Sequence, residues 1–177
     1  MKTNFISFCA LVLVAAAPYL RAEDAPKTAE TPKSSEFERL KSLVGAWQGK
    51  VDIGHGPVDM IAQFRVLAGG NVIEERVFPG SPEEMVTMYY DKGGKLALTH
   101  YCMLGNRPEM ALKSSDAKSI SFDFDSCCGI DTAKEKHMHS LSIRFDDANT
   151  ITTGCTAMAE GKAAQMHDVV LKRVASN

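Results

Sequence analysis

Histidine and cysteine side chains in this sequence take part in the alternation of apolar residues. His100 and Cys102 continue the apolar alternation of one segment, and His137 and His139 continue that of another. In a β-strand, residues two apart point to the same side, so a polar residue in step with apolar residues points to the buried side. The spacing predicts that all four side chains point inward.

The last apolar segment repeats this arrangement. Gln165 and His167 are in step with Val169 and Leu171, whereas Asp168 is out of step. Four of the five histidines therefore lie on the predicted inside. Each buried imidazole needs a hydrogen-bond partner, and a polar cavity would provide room for such partners.

These residues favour a binding pocket for a small molecule of unknown identity, with histidines that orient it. The predicted pocket residues are His100, Cys102, His137, His139, His167, Gln165, Trp47 and Phe64. A filled barrel that binds no ligand is the structural alternative.

Two cofactor hypotheses use the same histidines. His100, His137 and His139 are candidate metal ligands, because imidazole is the commonest metal ligand and two histidines on one strand can reach one ion. His167 is a candidate axial ligand of heme, which requires one inward histidine beside apolar residues. The cofactor is left open between a metal ion, heme and none.

Catalytic motifs are weaker than binding motifs here. Cys102 beside His100 is a possible nucleophile and base, but the two share one strand face, and a thiol of an exported protein commonly ends in a disulfide. The sequence has no glycine-rich phosphate loop, G-x-S-x-G or H-E-x-x-H motif. The pattern does not indicate an enzyme, although metal- or heme-dependent catalysis stays open.

The elements that must position these residues are short strands. From Gly45 onward the apolar period is about two, and turn signals recur at short intervals, which fits about nine or ten strands. Without a second helical segment, neighbouring strands should pair antiparallel. We predict an all-β closed antiparallel barrel with a short N-terminal helix from Ser35, capped by Ser35 and Glu38; a two-sheet sandwich is the alternative.

The first 34 residues are predicted to stand apart from the barrel domain, 35–177. Lys2, an apolar run and Ala22 before acidic residues form the pattern of a signal peptide over 1–22, with an uncleaved anchor as the alternative. Residues 23–34 are polar and contain prolines, which predicts a disordered tether. The protein is expected to be exported, either periplasmic or secreted.

Charge, apolar content and cysteine content restrict the classes of partner and the covalent links that the sequence allows. The net charge is −2 and the basic residues are scattered, which argues against nucleic acid as a partner. No later apolar stretch is long enough for a membrane span, and nothing indicates an oligomeric state. The four cysteines outside the signal allow three pairings in two disulfides. A bond between the neighbours Cys127 and Cys128 would be strained, so Cys102 and Cys155 are the natural partners for one or both of them, and the pairing is left open.

Three segments resemble a known group of barrels. Gly45-Ala46-Trp47 with Gly49 looks like the entry strand of calycin-type barrels such as lipocalins and nitrobindins, and residues 85–110 and 137–140 resemble an uncharacterised exported bacterial family with a similar barrel. The resemblance covers roughly 36–174 and implies a calycin-like barrel. Nitrobindin-like domains bind heme through a histidine of the C-terminal strand, and here only His167 matches.

Overall fold

The protein folds into a closed barrel of ten antiparallel strands, described by a computed structural model for residues 33–52, 54, 56–125 and 129–175. The strands are β1 (Gly45–Asp52), β2 (Pro57–Leu67), β3 (Val72–Val77), β4 (Met85–Lys92), β5 (Lys95–Tyr101), β6 (Glu109–Ser115), β7 (Ser119–Asp125), β8 (His137–Asp147), β9 (Thr150–Ala159) and β10 (Lys162–Arg173). Each strand pairs with the next in sequence, and β1 closes the ring on β10. The predicted closed antiparallel barrel is confirmed, and the sandwich alternative is wrong.

One short helix, α1 (Ser35–Leu40), precedes the barrel, as predicted. Its N-cap is Ser34 and not the predicted Ser35, because the Ser34 hydroxyl accepts a hydrogen bond from the Phe37 N–H at 3.2 Å. The same hydroxyl donates to Asp91 of β4 at 2.7 Å. This bond to Asp91 anchors the start of α1 on the barrel.

The helix and the 3₁₀ turn that follows it, Lys41–Leu43, cover one end of the barrel. Phe37, Leu40 and Leu43 are buried in the same apolar cluster as the strand residues. Trp47, at the start of β1, donates from its indole Nε1 to the Leu43 carbonyl oxygen at 2.7 Å. This end is therefore sealed by packed apolar side chains.

Inward side chains change character along the strands. Near the helix they are large, apolar and fully buried, as with Trp47, Phe64, Tyr89, Leu98, Phe122, Ile143, Ile151 and Leu171. Towards the other end of the same strands, the inward residues surround a cavity instead. One end of the barrel interior is therefore packed core, and the other end encloses a cavity.

The ring closes where the backbones of β1 and β10 lie unusually close together. Gly49 pairs with Leu171, and a Cβ built on Gly49 would lie 2.2 Å from the Val170 carbonyl oxygen. Only glycine permits this approach. The β1–β10 seam contains three register pairs, and the β5–β6 seam on the far side of the ring also contains three.

Several predictions fall outside the described residues. They include the signal peptide (1–22), all of the tether (23–34) except its last two residues, and the cysteines Cys127 and Cys128. In the part of the chain that the structure describes, no helix has the length and apolar character needed to cross a membrane.

Candidate functional site

The barrel holds a cavity of about 520 Å³ at the end away from α1. The surface of its wall is mostly apolar, and polar side chains lie between the apolar ones. Residues lining it include Val51, Met60, Glu75, Val77, Phe78, Glu83, Met85, Thr87, His100, Cys102, Met103, Leu104, Lys136, Met138, Leu141, Thr153, Cys155, Ala157, Gln165, His167 and Val169. The volume lies within the range of small-molecule sites.

A row of three polar side chains crosses one wall of the cavity. Thr87 of β4 is the register partner of Glu75 on β3 and of His100 on β5. All three side chains are buried. Because register partners point to the same face of a sheet, the three form a continuous polar row, which we call the Glu75 row.

Glu75 is the most deeply buried acid facing the cavity, with 5% of its surface exposed. Its Oε2 accepts a hydrogen bond from the Tyr89 hydroxyl at 2.6 Å, and its Oε1 has no partner among the described residues. Burial raises the pKa of Glu75 to about 7, against the opposing effect of the Tyr89 bond. Burial, together with the nearby Glu75, also raises the pKa of Tyr89. The carboxyl is therefore partly protonated near neutral pH.

His100 is held in one orientation by Thr87. The Thr87 Oγ1 and His100 Nδ1 lie 2.9 Å apart, and Oγ1 has no other partner among the described residues. Burial lowers the pKa of His100 to about 4, so the imidazole is neutral at neutral pH. We assign the Thr87 hydroxyl as donor to Nδ1, since its hydrogen would otherwise lack an acceptor; Nε2 then carries the proton.

A second group of side chains lines the wall formed by the later strands. Cys155 of β9 is the register partner of His167 on β10 and of Leu141 on β8, and all three line the cavity. Burial raises the pKa of the Cys155 thiol to about 11, with a further contribution from the charge of Glu75. Gln165 accepts a hydrogen bond from Lys136 near the mouth at 3.4 Å.

Four of the eight predicted pocket residues line this cavity: His100, Cys102, Gln165 and His167. Trp47 and Phe64 point inward but lie in the apolar core beneath α1. The period-two pattern gives the side of a strand on which a residue lies, and it does not give the residue's position along the barrel axis.

His137 and His139 do not line the cavity, although the alternation predicted that they point into it. A register shift between Met138 and Ser140 breaks the alternation of β8, so Met138 and Leu141 line the cavity instead. The two imidazoles contact each other, with His137 Nε2 3.2 Å from His139 Nδ1.

The two histidines pack against an aromatic ring. Phe124 stacks on His139 at 5.5 Å between ring centroids and lies 4.8 Å from His137. Burial lowers the pKa of His139, and so does its charged-form repulsion with His137. The arrangement is a packed aromatic cluster.

The predicted metal set is not assembled in the described part of the chain. No group of three or more histidine, cysteine or acidic side chains there is placed to hold a metal ion, and His100 lies in the cavity without His137 and His139. Cys102 and Cys155 both line the cavity as free thiols, and their predicted disulfide partners, Cys127 and Cys128, lie outside the described residues.

The heme hypothesis rests on His167, which lines the cavity as an axial ligand would have to. Heme also requires apolar side chains against the two faces of the porphyrin, and this cavity meets that requirement less well. Glu75 Oε1 and His100 Nε2 have no partner among the described residues, and a porphyrin face against this wall would offer them none. The residues fit an organic molecule with a polar head better, and we derive no heme chemistry.

The main site residue that the sequence prediction omitted is Glu75. Its signal was present, because Glu75 alternates with Ile73 and Val77 in β3 and therefore shares their inward direction. Its neighbour Glu74 is equally buried, but it binds Arg65 and Arg76 instead. The alternation by itself therefore predicts that Glu75 points inward and that Glu74 lies on the other face of β3.

Comparison with known proteins supports the fold and nothing beyond it. No protein-family model matches the chain, and no curated protein matches its sequence. The crystal structure of Rv2717c from M. tuberculosis is similar, with a TM-score of 0.52 and 15% identity, over 81% of this chain and 100% of that chain. At this identity the similarity extends to the barrel architecture alone.

Proposed function

We propose that the protein is an exported small-molecule-binding barrel whose ligand occupies the cavity with an apolar body and a polar head at the Glu75 row. The observation that carries this proposal is a mostly apolar cavity of about 520 Å³ with an ordered row of buried polar side chains on one wall. A few polar groups in an apolar pocket fix a ligand's orientation, and the apolar wall supplies most of the affinity.

Two further features support binding over a filled barrel. Glu75 lines the cavity and its Oε1 has no partner among the described residues, so this oxygen is available to a hydrogen-bond donor of a ligand. The resemblance to calycin-type barrels is consistent, because closed barrels of this size hold one small ligand. Export is proposed from the signal pattern of the first 22 residues.

The test is to fill the cavity and measure binding of the apolar dye Nile red. Ala157→Phe adds a ring inside the cavity, while Val170→Phe adds the same ring at a position of β10 that is 52% exposed. We expect the first variant to bind the dye at least about tenfold more weakly and the second to bind like the wild type. Equal binding by all three proteins would place the dye elsewhere and contradict the proposal.

The cofactor alternatives are tested on the same preparation. Elemental analysis and an absorption spectrum of protein purified without chelators report a bound metal or heme directly. Stoichiometric metal or a heme absorption band would replace the organic-ligand proposal with a cofactor function.

A further inference from the structure

Charged side chains are unevenly distributed around the cavity, and their distribution determines which class of ligand the cavity favours. Among the described lining residues, the formally charged side chains are Glu75, Glu83 and Lys136. Glu83 and Lys136 lie outside the strands, at the mouth, so Glu75 is the acid of the inner wall and no lysine or arginine of that wall faces it. The deep part of the cavity therefore has an acid without a counter-charge.

We propose that the ligand is an amine, with an apolar body in the cavity and a protonated nitrogen bound by the free Oε1 of Glu75. This inference rests on the proposed function and names its ligand class. A buried carboxylate without a counter-charge is unfavourable, and an ammonium group supplies that charge together with hydrogen-bond donors. The Tyr89 hydroxyl holds the other oxygen in place at 2.6 Å.

An anionic head group fits this site less well. It would place a second negative charge beside Glu75, and like charges in a site of low polarity repel strongly. His100 Nε2 is one donor of the Glu75 row, but the imidazole is neutral and offers no positive charge. A neutral head group would gain no ion pair.

Amine binding should depend on pH in a defined direction. An ammonium group favours the charged form of Glu75, so the complex binds fewer protons at this carboxyl than the free protein and affinity rises with pH. Other titratable groups surround Glu75: Tyr89 binds it from the core side, and the cavity is also lined by His100, Cys102, Cys155, His167, Glu83 and Lys136. Substitution of Glu75 separates its contribution from theirs.

The experiment is calorimetric titration of the purified protein with decylamine, decanol and decanoic acid, which share one apolar chain. At about pH 8 we expect decylamine to bind at least about tenfold more tightly than the other two. Glu75→Gln should remove this preference, whereas Glu38→Gln, the same change in charge on α1, should keep it. In the wild type, the affinity for decylamine should fall about tenfold per pH unit below about pH 7.

The outcomes separate this inference from the proposed function. Decanol or decanoic acid binding as tightly as decylamine overturns the amine inference and leaves a small-molecule binder. Failure of all three to bind overturns the amine inference, and the Nile red measurement then decides the proposed function by itself. If Glu75→Gln does not fold, the wild-type pH series decides, because an affinity for decylamine that is flat from about pH 5.5 to 8.5 excludes Glu75 as its partner.

Discussion

Glu75 and His100 lie on either side of one strand, each as the register partner of Thr87. Burial acts on them in opposite directions, because it raises the pKa of Glu75 to about 7 and lowers that of His100 to about 4. In the unfolded chain near pH 5.5 the acid is charged and the imidazole is protonated, while in the barrel both are neutral. Near this pH, folding therefore removes the negative charge of Glu75 and the positive charge of His100.

The first prediction concerns Glu75→Gln. In the wild type, the folded carboxyl retains a proton that the unfolded chain loses above about pH 4.5, so this group lowers the free energy of unfolding as pH rises to about 7. The total is roughly 3 kcal/mol. The variant should lack this decrease, so its stability relative to wild type should rise between these pH values. Urea unfolding at several pH values measures the difference, and a constant difference would contradict the assigned burial.

The second prediction concerns His100→Gln and has the opposite sign. The unfolded imidazole binds a proton below about pH 6.5 that the folded one binds only below about pH 4, so His100 raises the free energy of unfolding as pH increases through this range. The variant should lose that increase. The effects of the two residues largely cancel between about pH 4.5 and 6.5. The double variant should therefore follow the wild-type pH profile more closely than either single variant does.

The third prediction tests the Thr87 hydrogen bond. Thr87→Val keeps the side-chain shape but leaves His100 Nδ1 without its partner at 2.9 Å. We expect a loss of about 1–3 kcal/mol in the free energy of unfolding. Thr156→Val is the matched control, because Thr156 pairs with Ser140 outside the cavity lining and should change stability by under about 0.5 kcal/mol. A similar loss in both variants would indicate a general cost of replacing threonine in these strands.

The fourth prediction compares two glycines. Gly49→Ala places a methyl group 2.2 Å from the Val170 carbonyl oxygen, so the backbone must move, at about 1–3 kcal/mol or more. Gly154→Ala meets the ends of two side chains, Asp168 and Ser142, which can rotate away. Thermal unfolding should show a clearly larger loss for Gly49→Ala. Equal losses would mean that β1 and β10 are not so closely apposed.

The fifth prediction concerns the reactivity of Cys155. Its pKa of about 11 leaves very little thiolate at neutral pH, and the thiolate is the nucleophile. Iodoacetamide should therefore modify Cys155 slowly in the folded protein and readily after unfolding in denaturant. Peptide mass spectrometry reports the extent at this position. Rapid modification of the folded protein would show that burial does not suppress the thiolate.

The fold was readable from the sequence because strand alternation and turn signals extend along most of the chain. The same signal located His100, Gln165 and His167 on the cavity wall. It failed at His139, because one extra residue in β8 shifts the alternation and no residue type there announces the bulge.

Position along the barrel axis was not readable either. Trp47 points inward like His100, but it lies beneath α1, where the helix fills the space. Whether an inward position faces packed core or cavity depends on what caps that end of the barrel. Alternation within a strand contains no information on this point.

The two seams with the fewest register pairs divide the ring into two halves. Strands β1 to β5 form one half and β6 to β10 the other, and three register pairs join them at each seam, with further backbone hydrogen bonds from His100 to Pro108 and from Val174 to Ala46. Glu75 and His100 belong to the first half, whereas Cys155 and His167 belong to the second. A ligand that contacts residues of both halves therefore links them across the cavity. Its binding should slow amide hydrogen exchange along the seams more than within either half.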